Sequence, residues 1–287
     1  MFWDYGDIFK QIRQNKGLTQ ADLTDGNLSP TTLSKLENGK LTPSIETFEY
    51  LLNQLGMTYD EFQFLSYSHV PNERKQIIDR FSMLISNCED SQLHELETDC
   101  KLYLSSNSDR TILMILNILE STDLLRLDLR NKIECLPKIV VNPVWSYLEK
   151  MNQWYLEDLR FLNCILYYLP VDTIIDLLPK MLASLNRYDE FRDTVSLRLA
   201  MMTNVSTILL QHQEYDVCLQ LLLKAEQWAK QAKRYDFLAV VLIRKGICSK
   251  EDSLITSGLT LLNLAGEVSL EEDLKKEVSC HDACKSL

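Results

Sequence analysis

The side chains with the most readable chemistry lie between residues 18 and 40, in "LTQADLTDGNLSPTTLSKLENGK". Gln20, Pro30, Thr31, Thr32, Lys35 and Lys40 stand at the starts and ends of two short helical patterns there. An amide opening a helix can bond a phosphate at which the helix N-terminus also points. Paired threonines can offer a hydroxyl to several bases and a methyl to thymine. Pro30, Thr31, Thr32 and Lys35 sit where base-edge contacts are expected, whereas Lys10, Lys16 and Lys40 are phosphate neighbours rather than readers. Catalytic chemistry has no comparable cluster. The four histidines (69, 94, 212, 281) are isolated. There is no Gly-rich phosphate loop, no HExxH and no serine elbow. "CHDAC", residues 280–284, offers three ligands at one end of the chain and no second cluster, which is a poor zinc signal. No metal, no cofactor and no enzyme activity are expected.

The elements that must position these side chains are legible nearby. Thr19 can cap one short helix, and Ser29 with Pro30 behind it is a strong start for another. Asp25-Gly26-Asn27 makes the turn between them, and Gly39 closes the second. The periodicity predicts five helices, about 5–16, 19–25, 29–38, 44–56 and 58–67. Their shared core would be Ile8, Ile12, Leu18, Leu23, Leu28, Leu33, Leu36, Phe48, Leu51, Leu52, Leu55 and Phe62. This is a helix-turn-helix arrangement, whose second helix enters the major groove with its N-terminal side chains on base edges.

The rest of the chain reads as helical too. Five of the eight glycines occur by residue 56 and none between 57 and 245. Such a stretch is hard to build from β-hairpins, whose turns so often need positive φ. Apolar residues instead recur every three and four positions. The β-branched run "KIVV" (138–141) is too isolated for a sheet. Pro137 and Pro143 are expected as stops between helices, and Pro179 as a kink or restart. Three antiparallel helices follow one another within residues 189–248, broken at Gln213-Glu214-Tyr215 and Arg234-Tyr235, weakly in the manner of tetratricopeptide pairs. The fold class is all-α. The boundary falls in the polar stretch 66–75, giving domains 1–68 and 69–287.

Charge constrains the partners. The net charge of −11 argues against loose nucleic-acid binding. Yet Lys10, Arg13, Lys16, Lys35 and Lys40 face only Asp22, Asp25 and Glu37 between residues 8 and 43, a local +2. No apolar run reaches the ~18–20 residues of a membrane helix, and the acidic N-terminus is not a signal peptide. The eight scattered cysteines suit a reduced, cytoplasmic protein that keeps them as small buried hydrophobes.

"IFKQIRQNKGLTQADL…LSPTTLSKLENGKLTPSIETFEYLLNQLG" resembles the lambda-repressor-type (XRE) helix-turn-helix domain. The carriers are the arginine before "GLTQ", Leu-Ser before the third helix, Glu-Asn-Gly closing it and Pro-Ser opening the fourth. The resemblance implies an internal pair between Arg13 and Glu37. A turn one residue short, a short fifth helix and a long helical C-terminus resemble, more narrowly, the Rgg/GadR/MutR regulators. "YLEKMNQWYLEDLRFLN" (147–163) carries the same likeness through Trp154, Asp158-Leu159 and Asn163. This resemblance implies a homodimeric transcription regulator that binds a double-stranded DNA operator and holds a short signalling peptide in its helical-repeat domain.

Candidate peptide contacts follow. Asn204 has Ala200, Met201, Val205 and Ile208 around it at helical spacing, so its amide lies on or beside an apolar face. A buried unpaired amide costs roughly 1–3 kcal/mol. It either holds a peptide backbone or is satisfied by a neighbouring helix. Arg160, Asn163 and Tyr167 share one face, lining a groove or meeting solvent. Arg244, among Val240, Val241 and Ile247, is a weaker candidate for a peptide carboxylate. Two rivals stay open: a metabolite-responsive repressor of the same architecture, and a helical-repeat scaffold with weak DNA binding.

Overall fold

The computed structural model describes residues 5–24, 28–69, 73–84, 90–128, 143–188, 191 and 194–284. Every regular element among them is helical, and the chain divides into two compact units, Met1–Arg80 and Phe81–Leu287. The first unit holds α1 (Gly6–Asn15), a 3-10 turn (Ala21–Leu23), α2 (Pro30–Glu37), α3 (Ile45–Leu55) and α4 (Tyr59–His69); α5 follows at Glu73–Leu84.

Local chemistry sets most of these boundaries. Ser29 and Ser44 lie in extended backbone, and their hydroxyls accept from the amides of Thr32 (3.1 Å) and Thr47 (3.2 Å). Each thereby satisfies one N–H that a helix start leaves orphaned. Gly39, at φ +67°, ends α2 in the left-handed conformation that glycine adopts without strain. The expected core forms as one cluster, with Phe9 and Met57 added to it. One expectation is corrected. Of the helix expected over 19–25, the described residues as far as Thr24 make only a single 3-10 turn, held by Leu23 N to Gln20 O and Thr24 N to Ala21 O. Thr24 then leaves helical backbone at φ −121°, ψ 44°. The turn Asp25-Gly26-Asn27 lies outside the described residues.

The second unit runs α6 (Asp90–Ser106), α7 (Arg110–Asp128), a helical stretch at 143–148, α8 (Leu156–Ile165) and a 3-10 turn (Leu166–Tyr168). It continues with α9 (Val171–Asn186), α10 (Val195–Gln211), α11 (Tyr215–Gln231), α12 (Tyr235–Ser249), α13 (Asp252–Ala265) and α14 (Val268–Cys284). From α10 onward each helix packs on its successor, which gives the repeat-like stack. "KIVV" and Pro137 lie outside the described residues, whereas Pro143 belongs to the 143–148 helical stretch. Pro179 sits inside α9, which neither stops nor restarts there.

The absence of glycine across 57–245 does not spare this unit from positive φ. Gln213, Lys233 and Lys250 adopt φ of 61°, 54° and 60° at the ends of α10, α11 and α12. The amides just beyond them reach back five residues, Glu214 to Leu209 O, Arg234 to Ala229 O and Glu251 to Gly246 O, closing Schellman motifs. A left-handed L-residue costs roughly 1–2 kcal/mol, so exposed Lys233→Gly should stabilise the unit by about 1 kcal/mol. A rise in thermal midpoint checks this, and an unchanged or lower midpoint contradicts it.

Candidate functional site

The N-terminal candidate is built on a buried ion pair. Arg13 of α1 donates from Nε (2.5 Å) and Nη2 (3.0 Å) to the two oxygens of Glu37, the last residue of α2. Its Nη1 reaches the carbonyl of Leu18 (2.7 Å), and Gln20 Nε2 donates to Glu37 Oε2 (2.7 Å). A bidentate guanidinium–carboxylate contact fixes both distance and angle. It therefore sets α2 against α1 and the 3-10 turn in one orientation. The internal Arg13–Glu37 pair is present; Gln20 belongs to the same network and spends one amide N–H there.

The exposed side of α2 carries the expected readers. Pro30, Thr31 and Lys35 are exposed, Thr31 and Lys35 one turn apart on the same face. Thr32 is half-buried, its hydroxyl 2.8 Å from that of Ser29, so it shares in the cap. Lys40 and Lys16 are exposed beyond the ends of α2 and α1, and Lys10 is half-buried. The nearby acid is engaged locally. The Thr19 hydroxyl and backbone N–H both donate to Asp22 (2.7 Å each), and these bonds hold its carboxyl below the usual carboxylate range.

In the second unit the structure brings three expected residues together. Asn163 is buried in α8, Tyr167 is exposed on the 3-10 turn after it, and Asn204 is half-buried on α10. Asn204 Nδ2 donates to Asn163 Oδ1 (3.0 Å), and Tyr167 Oη donates to Asn204 Oδ1 (3.4 Å). A polar chain thus runs from the interior of α8 to the surface. Arg160, on the same helix, pairs with Glu157.

Arg244 is elsewhere in the network. It is buried in α12, with Nε and Nη2 on the two oxygens of Glu277 of α14 (2.9 Å each). Nη1 reaches Thr203 O (2.6 Å) and Ser206 Oγ (2.7 Å). It grips α10 next to Asn204 instead of meeting Asn163 or Tyr167. Glu277 and Ser206, its partners, carried no sequence signal, because they lie 33 and 38 residues away.

The "W…DL…N" likeness separates by role. Trp154 is fully buried, its Nε1 donating to Leu148 O (2.9 Å) and its ring under the Lys180 ammonium (3.9 Å). Asp158 accepts from Tyr155 N (2.9 Å) and Tyr147 Oη (3.1 Å), securing the start of α8. These two hold the helix, whereas Asn163 meets Asn204 of α10. Among the described residues no helix is long and apolar enough to cross a membrane, and no group of side chains could hold a metal ion.

Comparison with known proteins agrees with this layout. A helix-turn-helix family model matches residues 9–62, and the model of the HTH-type transcriptional regulator Rgg, C-terminal domain, matches 101–243. The HTH-type transcriptional regulator PuuR of Escherichia coli (strain K12) is 27% identical over 111 residues, 38% of this chain and 55% of PuuR, so the chain spans about half of that relative. Among solved structures, the Streptococcus dysgalactiae SHP pheromone receptor Rgg2 superposes with a TM-score of 0.73 at 18% identity, covering 95% of this chain and 97% of that one. Bacillus thuringiensis PlcR, solved with the peptide PapR7 and DNA, gives 0.64 at 15% identity, covering 95% and 98%. With a helix-turn-helix reader followed in the chain by the matching C-terminal domain, the protein belongs to the Rgg family of HTH-type transcriptional regulators.

Proposed function

We propose that this regulator is controlled by a short signalling peptide bound in its C-terminal helical unit, and that it reads a double-stranded operator as a homodimer in the cytoplasm. The observation that carries the peptide reading is the hydrogen-bonded chain Tyr167–Asn204–Asn163 joining two helices. Amides can exchange one another's hydrogen bonds for those of a peptide backbone at little net cost. Rgg2 and PlcR, similar in fold along nearly their whole length, are described as a pheromone receptor and as a complex with peptide and DNA. Arg160 would border the site, and Arg244 would support it from behind through Thr203. On the reader, Gln20, Pro30, Thr31, Thr32, Lys35 and Lys40 are the proposed DNA contacts, with domains 1–68 and 69–287 dividing the tasks. So few cations per copy favour a dimer on two half-sites about 34–36 Å apart, or a multiple of that.

Two experiments test the reading. DNA selected by the wild-type protein from a random pool should bind Thr31→Ala about five- to hundredfold more weakly, the worth of ~1–3 kcal/mol for a base contact. Unchanged affinity and sequence preference would remove Thr31 from the recognition set. For the peptide, the ligand co-purified from the source cells is identified by mass spectrometry, resynthesised and titrated calorimetrically. Asn204→Ala should lose roughly tenfold to hundredfold in affinity, with DNA binding of the free protein near wild type. A small metabolite in place of a peptide, or full peptide affinity in the variant, would overturn the assignment.

A further inference from the structure

The helix that carries Asn204 is gripped one residue earlier by a charge from α12. Thr203 O accepts from Arg244 Nη1 (2.6 Å) as well as from the hydroxyls of Ser206 (2.8 Å) and Thr207 (3.0 Å) of its own helix. Ser206 Oγ in turn accepts from Arg244 Nη1 (2.7 Å), and Ser206 is fully buried. Bonds from an ionised donor are the stronger kind. The guanidinium therefore fixes the rotation of α10 at the turn where Asn204 stands.

The guanidinium is itself placed from α14. Its side chain is 6% exposed, so the charge needs a carboxylate within reach, and Glu277 supplies both oxygens (2.9 Å each). Glu277 is seated on either side. Leu274, one turn before it, is buried, and the ring of His281, one turn after it, meets Tyr215 of α11 edge-on with 6.3 Å between centroids. Residues 274, 277 and 281 share one face of α14 by their spacing of three and four. Position thus passes from α14 through Glu277 and Arg244 to the Thr203 carbonyl.

Asn204 is sensitive to that position. Its bond to Asn163 Oδ1 is 3.0 Å, but Tyr167 Oη reaches its Oδ1 only at 3.4 Å, near the end of hydrogen-bond range. A shift of α10 by a few tenths of an ångström is enough to lose it. We propose that Glu277 is a positioning residue for the Asn204 amide, acting through Arg244 and the backbone of α10, and that it sets ligand affinity without touching the ligand. The proposal rests on the peptide reading for the identity of that ligand. By linkage, a ligand held by Asn204 tightens α14 onto Arg244 to the same degree that α14 tightens the ligand.

The test uses the full chain. Side-chain amide NMR signals of protein carrying isotope-labelled asparagine, assigned with Asn163→Ala and Asn204→Ala, report the position of Asn204 with nothing bound. A peptide selected by the wild-type protein from a synthetic random pool is the affinity probe. Glu277→Gln, which keeps the size and loses the charge, should move or broaden the Asn204 signals and weaken the selected peptide at least about fivefold. Glu271→Gln, on the same helix and paired there with Lys275, should change neither. Arg244→Met with Glu277→Met separates position from stability. Apolar replacement of a buried pair should restore much of the melting temperature. The Asn204 signals and the affinity should stay displaced, because Thr203 O and Ser206 Oγ still lack the guanidinium. Unmoved Asn204 signals in Glu277→Gln overturn the proposal whether or not any peptide binds, and so does a selected peptide that this variant holds as tightly as wild type. A double variant whose signals return to wild type along with its melting temperature also overturns it, since Glu277 then serves stability alone. If no peptide can be selected while Glu277→Gln displaces the Asn204 signals, the peptide reading fails and the positioning role is supported.

Discussion

Glu37→Ala is expected to destabilise the Met1–Arg80 unit by about 3–5 kcal/mol, the cost of stranding a buried charge. The side chains of Arg13 and Glu37 are 8% and 0% exposed, so water cannot take the lost partner's place. Arg13 would keep only the Leu18 carbonyl, and Gln20 would lose its acceptor as well. Hydrogen exchange of α1 and α2 amides in the full chain reads the loss without requiring one cooperative transition. Arg13→Met alone should cost a similar amount, because it leaves the carboxylate buried with only Gln20. The double change, Arg13→Met with Glu37→Met, should recover part of it, since well-packed apolar side chains often replace a buried pair without penalty. DNA affinity should fall with protection, because the pair orients α2 and does not face the groove. Unchanged exchange in both single variants would show that the pair carries no strain-bearing load.

The second large effect is expected from alanine at two glycines of the C-terminal unit. A Cβ at Gly258 would lie 2.7 Å from the backbone oxygen of Ala239 and 2.5 Å from Ile243 Cγ1. One at Gly246 would lie 2.8 Å from Glu251 O and 2.6 Å from Ile255 Cγ1. Side-chain carbons can swing aside; carbonyl oxygens of a neighbouring helix and its turn cannot. The close approach of α12 and α13 therefore depends on both missing methyls. Each substitution should cost about 1–3 kcal/mol as overpacking, roughly additively, and a control alanine at exposed Ser253 should be near neutral. Because α12 carries Arg244, the double variant should also loosen exchange protection around Thr203 and Ser206 on α10. Intact protection there, with a lowered melting temperature, would mean that α13 moves and α12 does not.

Much of the molecule was determined by information lying within one or two helical turns. Ser29, Pro30 and Gly39 bound α2 because caps and left-handed ends are decided by a residue and its immediate neighbours. The apolar repeat at three and four residues assigned Leu33, Leu36, Leu51 and Leu55 to the interior for the same reason. The Arg13–Glu37 pair was legible only through likeness to a family, since nothing local joins residues 24 apart. What tertiary structure alone decided are the partners set by how one helix is rotated against another. Gln20 turned inward to Glu37, Asn204 met Asn163 across 41 residues, and Arg244 was claimed by Glu277 instead of remaining open to a ligand. The cost of left-handed backbone at Gln213, Lys233 and Lys250 was likewise hidden, because packing of the helix stack sets where each must end and outweighs the preference of the residue that stands there. Hydrogen-bond reach is about 3 Å, whereas a helix face turns 100° with every residue. Periodicity can therefore name a face, but only packing can say which side chain on it finds a partner.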